Sequence, residues 1–231
     1  MPHPEGQGKP CWSGQAPTLG DRLFAWFMSQ CGPKVTWRLK GRKQALFERL
    51  HRDHGIKTVV EVGMGTAPNL EFYGPFVDKV IGIDPNTAMA AYALRAAEAA
   101  GVASKLRLLT GRAQALPLDD ASADAVVMTH VLCTVKDQAA ALVEARRVLR
   151  PGGLFIFLEH VAADPGDRLA RWQRWLDPAV GVVGHGCSAT RHTLEAIQAA
   201  GFSAVQAERF RLDLWLPAAV VAPHVAGVAV R

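Results

Sequence analysis

Two histidines and a few acids carry most of the chemistry this sequence can offer. His130 and His160 each follow an apolar run, Asp124–Met128 and Leu154–Leu158. Imidazole is the side chain whose ordinary pKa suits proton transfer near neutrality, so both are candidate catalytic bases. Glu159 stands beside His160, where it can orient a neighbour or fix a loop. His185 and Cys187 share Gly184-His185-Gly186-Cys187 and, with Glu159, are candidates to line an acceptor pocket. A second group is acidic. Glu61 ends Thr58-Val59-Val60-Glu61 and is followed by Gly63-Met64-Gly65, and Asp84 ends Val80-Ile81-Gly82-Ile83. Glycines let a ligand approach the main chain closely, and an acid after the second strand of an open α/β sheet binds ribose hydroxyls. Together they define a nucleoside pocket. Nothing in the spacing of His160, His185 and Cys187 demands a metal. Cys11, Cys31, Cys133 and Cys187 contain no CxxC pair, so no metal site is expected and Cys133 reads as a buried core thiol.

These residues need strand ends to hold them, and the chain supplies them from Thr58 onward. Apolar strands are expected at about 58–61, 79–84, 105–109, 124–128 and 154–158. Helices are expected between them at 67–73, from Asn86 or Thr87 to 100, and at 137–149. Gly101 and Arg150-Pro151-Gly152-Gly153 stop two of these helices. Such alternation predicts a doubly wound, mostly parallel sheet with helices on both faces. Later come an amphipathic helix over 167–175, a glycine-rich stretch over 181–188, a helix from Thr190 to 200 and two strands, 202–210 and 226–230. The last pair suits an antiparallel edge, giving seven strands in all.

The composition sets limits. With 231 residues and 49% hydrophobic, the chain can bury one α/β core. No apolar stretch reaches the roughly 20 residues of a spanning helix. Met1–Gly20 reads as a flexible tail without a signal-peptide pattern. The scattered cysteines favour reduced thiols in an intracellular, reducing compartment. Lys34 to Lys57 hold eight basic residues against Glu48 and Asp53, so the net charge of +5 is local and no nucleic-acid role is implied. Leu39, Leu46, Phe47 and Leu50 recur at helical spacing among these basic residues. That segment is a helix packed on the domain, or one lying on an anionic membrane surface, with contact through residues 20–54.

Pro68 occupies the third position of a Gly-x-Gly-x-x-Gly dinucleotide loop, which disfavours a pyrophosphate cradle. Glu61-Val62-Gly63-Met64-Gly65-Thr66-Ala67 instead approximates acid-x-Gly-x-Gly-x-Gly, with Ala67 in place of the last glycine. With Asp84, Leu116-Pro117 and Arg147-Val148-Leu149-Arg150-Pro151-Gly152-Gly153, the chain resembles the class I S-adenosylmethionine-dependent methyltransferases (methyltransferase type 11 domain), a Rossmann-like fold. The resemblance implies S-adenosylmethionine as cofactor. It places Glu61, Gly63, Met64 and Gly65 at its methionine end and Asp84 on the ribose. Pro85, Asn86, Ala113 and Gln114 fall near the adenine, and Thr129 and His130 near the methyl. Arg112 and Gln114 stand where many relatives carry an acid. The domain is expected over 35–231, opened by a basic helix over 35–57, with 1–34 as tail and short apolar patch.

A narrower resemblance rests on Asn69-Leu70-Glu71-Phe72-Tyr73, Val131-Leu132-Cys133-Thr134-Val135, Leu158-Glu159-His160-Val161-Ala162, Gly184-His185-Gly186-Cys187 and Pro223-His224-Val225-Ala226-Gly227. These resemble the thiol S-methyltransferases of the methyltransferase-like 7 group. The likeness implies a small-molecule acceptor, an alkyl thiol or sulfide. His185 stands where relatives carry an acid. O-, N- or C-methylation of an apolar metabolite or lipid is the alternative within the class, and a non-catalytic cofactor-binding or membrane-coating protein the alternative outside it. A monomer is expected.

Overall fold

The computed structural model describes residues 16–52, 55–73, 77–215 and 217–231. Seven strands form one sheet: β1 (Thr58–Val62), β2 (Lys79–Asp84), β3 (Leu106–Thr110), β4 (Ala123–Thr129), β5 (Leu149–His160), β6 (Ala204–Arg211) and β7 (Pro223–Val230). Their order is β3-β2-β1-β4-β5-β7-β6. The strands from β3 through β5 pair in parallel, and β7 runs antiparallel to both β5 and β6. The expected antiparallel pair is present at that end, with β7 as the reversed strand and β6 outermost. The order reverses at β1 and β4, and it is at such a switch point that open α/β sheets bind ligands.

Successive residues of the central strands are buried on opposite faces, as a sheet covered on both sides requires. Val59, Val80, Val127 and Ile156 join one core with α1 (Leu19–Arg52) and α2 (Ala90–Ala99). Val60, Ile81, Val126, Phe155 and Phe157 join the other with α3 (Gln138–Val148) and α5 (Thr193–Ala199). The Arg147 signature has a structural role. Its guanidinium bonds Glu144, Asp120 and the carbonyls of Leu116 and Leu118, tying the loop before β4 to α3.

The largest departure from expectation is α1. A boundary between residues 34 and 35 is expected, yet one helix of 34 residues runs from Leu19 to Arg52 straight through it, with Pro33 inside. The helix starts where it does because Thr18 and Asp21 form a reciprocal capping box: Thr18 Oγ1 accepts from the Asp21 amide, and Asp21 Oδ2 from the Thr18 amide. The tail over 1–15, Asp53 and His54 lie outside the described residues. Leu39 and Phe47 are fully buried, each contributing about 2 kcal/mol by burial, so α1 belongs to the domain.

Smaller departures are local. The helix expected at 67–73 is a single 3-10 turn, Leu70–Phe72. β5 starts at Leu149 rather than after the Arg150–Gly153 turn, through a register shift against β4. α4 (Arg168–Val183) extends through the first part of the glycine-rich stretch. α5 starts at Thr193, because Thr190 and Ser188 bond Asp177 on α4 instead of capping a helix.

Candidate active site

The loop after β1 is pinned to the end of β2: the Gly63 and Met64 amides both donate to the Ile83 carbonyl. Gly63 (φ 65°) and Gly65 (φ 55°) are left-handed, and a Cβ on Gly63 would stand 2.4 Å from Val131 Cγ2. Ala67, where the family pattern has glycine, also takes φ 59°, so the position keeps its left-handed backbone at some strain. The Met64 side chain packs into the core over Gly82, so only its backbone is available to a ligand.

Two buried carboxylates flank this loop. Asp84 accepts the Gly65 amide at 2.9 Å and the Asn86 amide at 2.8 Å. Glu61 accepts from Asn69 Nδ2 (2.8 Å) and from the Tyr73 hydroxyl, and Asn69 Nδ2 also reaches Thr129 Oγ1 (2.9 Å). Burial pushes Glu61 up to about 7 and Asp84 up to about 6, and it pushes the buried Lys43 of α1 down to about 8. Asn69, Tyr73 and Lys43 have no role in the sequence reading. Asn69 and Tyr73 sit in a motif quoted only for its likeness, and Lys43 is hidden among surface-type basic residues.

Raised carboxylate pKa values stabilise the fold fully below the unfolded range near pH 4. That stability is lost as pH rises through the folded values of about 6 and 7. The melting temperature of the cofactor-free protein is therefore expected to fall between about pH 5 and about pH 8, and to fall less in Glu61→Gln. His130 and His224, held low by burial, act in the opposite sense up to about pH 6.5. Glu159, pushed up to about 7, acts in the same sense as Glu61, so most of the fall comes in the upper part of this window. Lys43 opposes it only above the window. A melting profile equally steep in Glu61→Gln would exclude Glu61 as a source.

The pocket fits S-adenosylmethionine on its own chemistry. Asn69 Oδ1 and Thr110 Oγ1 are buried oxygens without a hydrogen-bond partner among the described residues. One lies beside Glu61 and the other pairs in register with Asp84, so they mark the two ends of the glycine loop. Two acids suit a ligand carrying a sulfonium and an ammonium. A cleft of about 360 Å³ at the far end is lined by Pro85, Thr110, Gly111 and Arg112, and by Thr18 and Asp21 of the α1 cap. Asn86 Nδ2 donates to the Asp21 carbonyl, which brings α1 over this end. Ala113 is buried in the core, and Gln114 is half-buried. A second cleft, about 410 Å³, lies between α1 and α2 away from the histidines.

The two predicted bases come together. His130, at φ 57°, stacks on His160 with ring centroids 4.6 Å apart. His224 joins them, its Nε2 3.2 Å from His130 Nε2. His224 Nδ1 lies 2.8 Å from the Ala222 carbonyl and donates to it, leaving the Nε2 lone pair for His130. Burial holds His130 well below the usual histidine range and His224 at about 4. His160 Nδ1 lies 3.3 Å from Cys187 Sγ, which is 3.6 Å from Cys133 Sγ. Cys133 is buried as expected, but it faces this cluster.

Two pocket candidates are placed elsewhere. His185, at φ 51°, is exposed and stacks on Phe24 of α1 with ring centroids 4.1 Å apart rather than on the other histidines. Glu159 is fully buried, and its oxygens accept the amides of Val131, Leu132 and Cys133 at 2.9–3.2 Å. It positions the loop that carries Cys133, its carboxylate engaged by backbone amides.

The fold and this strand-end pocket are those of the Rossmann-like methyltransferases. Residues 60–157 match the family described as Methyltransferase domain. The solved structure of geranyl diphosphate methyltransferase in complex with SAM shares the fold at a TM-score of 0.65 and 16% identity, over 83% of this chain and 84% of that one. The chain is an S-adenosylmethionine-dependent methyltransferase. It is 34% identical to the thiol S-methyltransferase TMT1B of Homo sapiens, over 96% of this chain and 89% of that protein. It is also 34% identical to the thiol S-methyltransferase TMT1A of Homo sapiens, over 91% and 86%. The chain belongs to the family of these thiol S-methyltransferases.

Proposed function

We propose that the chain transfers the methyl group to a small alkyl thiol or to sulfide. The observation that carries this reading is the imidazole and thiol cluster at the carboxyl ends of β4 and β5, together with its likeness to the thiol S-methyltransferases TMT1A and TMT1B. Bound S-adenosylmethionine supplies an electrophilic methyl on a sulfonium. Asp84 is assigned to the ribose hydroxyls, Glu61 and Asn69 to the methionine end, and the loop from Gly63 to Gly65 to close main-chain contact. Holding an acceptor aligned for in-line attack supplies roughly 7–11 kcal/mol. A thiol with a reference pKa of about 8.5 is mostly protonated at neutral pH, and a base that takes its proton adds about 10²–10⁴-fold. His130 and His160 are assigned to that step. A panel of thiol, hydroxyl, amine and carbon acceptors with labelled S-adenosylmethionine is expected to label thiols. Labelling of the others and never of thiols would overturn the reading.

We further propose a monomer in a reducing intracellular compartment, in peripheral contact with a membrane. Leu19, Leu23, Trp26 and Trp37 lie on an exposed stripe of α1, with Trp37 76% exposed, and Val182 and Val183 are exposed at the end of α4. Among the described residues no helix is long and apolar enough to cross a membrane. An exposed apolar helix face with basic neighbours supports interfacial binding instead. Because α1 is part of the core, the test is Trp26→Ser with Trp37→Ser rather than removal of the helix. Flotation with anionic vesicles is expected to drop in the double variant, and unchanged flotation would exclude this face.

A further inference from the structure

The strand-end cluster has the composition and spacing of a metal centre. Cys133 Sγ, His160 Nδ1 and Cys187 Sγ come from three separate elements, and the three side chains offer ligand atoms within 4.8 Å of one another. Tetrahedral zinc, with Zn–S about 2.3 Å and Zn–N about 2.0 Å, separates two sulfurs by roughly 3.8 Å and a sulfur from a nitrogen by roughly 3.5 Å. The two separations made by Cys187 are 3.6 and 3.3 Å, so those two edges reach the zinc geometry with shifts of a few tenths of an ångström, and the third lies within 4.8 Å.

The ligands are held in place before any ion arrives. Glu159 accepts three amides of the loop carrying Cys133. The Ser188 amide donates to the Cys133 carbonyl, which ties the Cys187 loop to the same point. His160 ends β5, held in register opposite His224 of β7. Such support is what metal sites need to fix ligand orientation.

We propose that Cys133, His160 and Cys187 bind a zinc ion whose fourth position receives the acceptor's sulfur as thiolate. The proposal rests on the thiol reading above. Three protein ligands and one open position are the pattern of catalytic rather than structural zinc. His130 and His224 adjoin His160 itself, a ring nitrogen from each of the three lying within 4.8 Å of the others. With His160 on the metal in place of the base role assigned above, the S–H bond of the acceptor breaks, its proton is released to water, and the sulfur keeps its electrons on the metal. Its lone pair then forms the new S–C bond as the sulfonium C–S bond breaks. The neutral thioether is a weak ligand and departs, and no redox change occurs at any atom.

The test uses the full chain, kept reduced with a phosphine and free of chelator, then loaded with Zn²⁺ or Co²⁺. The expected result is one ion per chain and a tetrahedral cobalt spectrum with thiolate charge-transfer absorption. That absorption intensifies when ethanethiol is added and does not move with its methyl thioether. Cys187→Ser and His160→Gln are expected to lose the ion while keeping the circular dichroism of the fold; two variants guard against a local folding defect in either. Absence of bound metal in the reduced protein overturns the site, and if ethanethiol is still methylated the thiol reading survives without it. A cobalt spectrum that ethanethiol leaves unmoved overturns the open position and indicates a closed site. Metal bound with no thiol turned over overturns the thiol reading and the open position together.

Discussion

Glu159→Ala is expected to destabilise the protein by about 4 kcal/mol, measured as the shift in urea midpoint at constant slope. The carboxylate is fully buried and accepts the amides of Val131, Leu132 and Cys133. Alanine removes all three acceptor contacts from N–H groups that have no water to turn to, and each unsatisfied buried amide costs about 1–3 kcal/mol. Water entering the vacated space recovers part of that sum. Against a typical stability of about 5–15 kcal/mol, the loss is large enough to lower the yield of folded protein. Glu159→Gln provides the control. Its carbonyl can still accept two of the amides, while its NH₂ opposes the third donor, so a loss of about half is expected. A loss under about 1 kcal/mol in Glu159→Ala would mean that the loop is held by other contacts.

The same residue shows where sequence reading stops. An acid beside a histidine after a central strand can orient a neighbour, line a pocket or fix a loop, and nothing local chooses among these or says that its side chain turns under a loop 26 to 28 residues earlier in the chain. The strands were legible because a parallel sheet covered on both faces demands continuous apolar runs, and Val80–Ile83 and Val126–Met128 have no other use. Asp84 and the glycine loop were legible because a left-handed turn and an acid at a fixed distance leave few alternatives. α1 was not. It carries Leu23, Trp26 and Trp37 on an exposed face, so these apolar residues do not report on burial, and the helix continues through Pro33 across the boundary expected between residues 34 and 35. The cysteine and histidine cluster was also hidden. Cys133, His160 and Cys187 are 27 residues apart at each step, a spacing no local metal motif shares; the neighbouring ends of β4 and β5, with the Cys187 loop tied to the Cys133 carbonyl through the Ser188 amide, bring them together.

Asp84→Ala is expected to weaken S-adenosylmethionine binding by about 10²–10³-fold, read by calorimetry. Two hydrogen bonds to an ionised carboxylate are each worth about 1.5–3 kcal/mol, and a loss of 3–4 kcal/mol converts to that range. The structure adds a second contribution. Asp84 also holds the Gly65 and Asn86 amides, so alanine releases the glycine loop and the adenine-side turn that its carboxylate aligns. Asp84→Asn separates the two effects. It keeps one oxygen for a loop amide but loses the charge, so its fold is expected to melt close to the wild type while its affinity stays at least tenfold weaker. Because burial raises Asp84 to about 6, wild-type affinity is expected to fall as pH drops below that value, and the affinity of Asp84→Asn to change less over the same range. Unchanged affinity in Asp84→Ala would move the ribose away from the end of β2, and with it the methyl away from the histidines at the ends of β4 and β5.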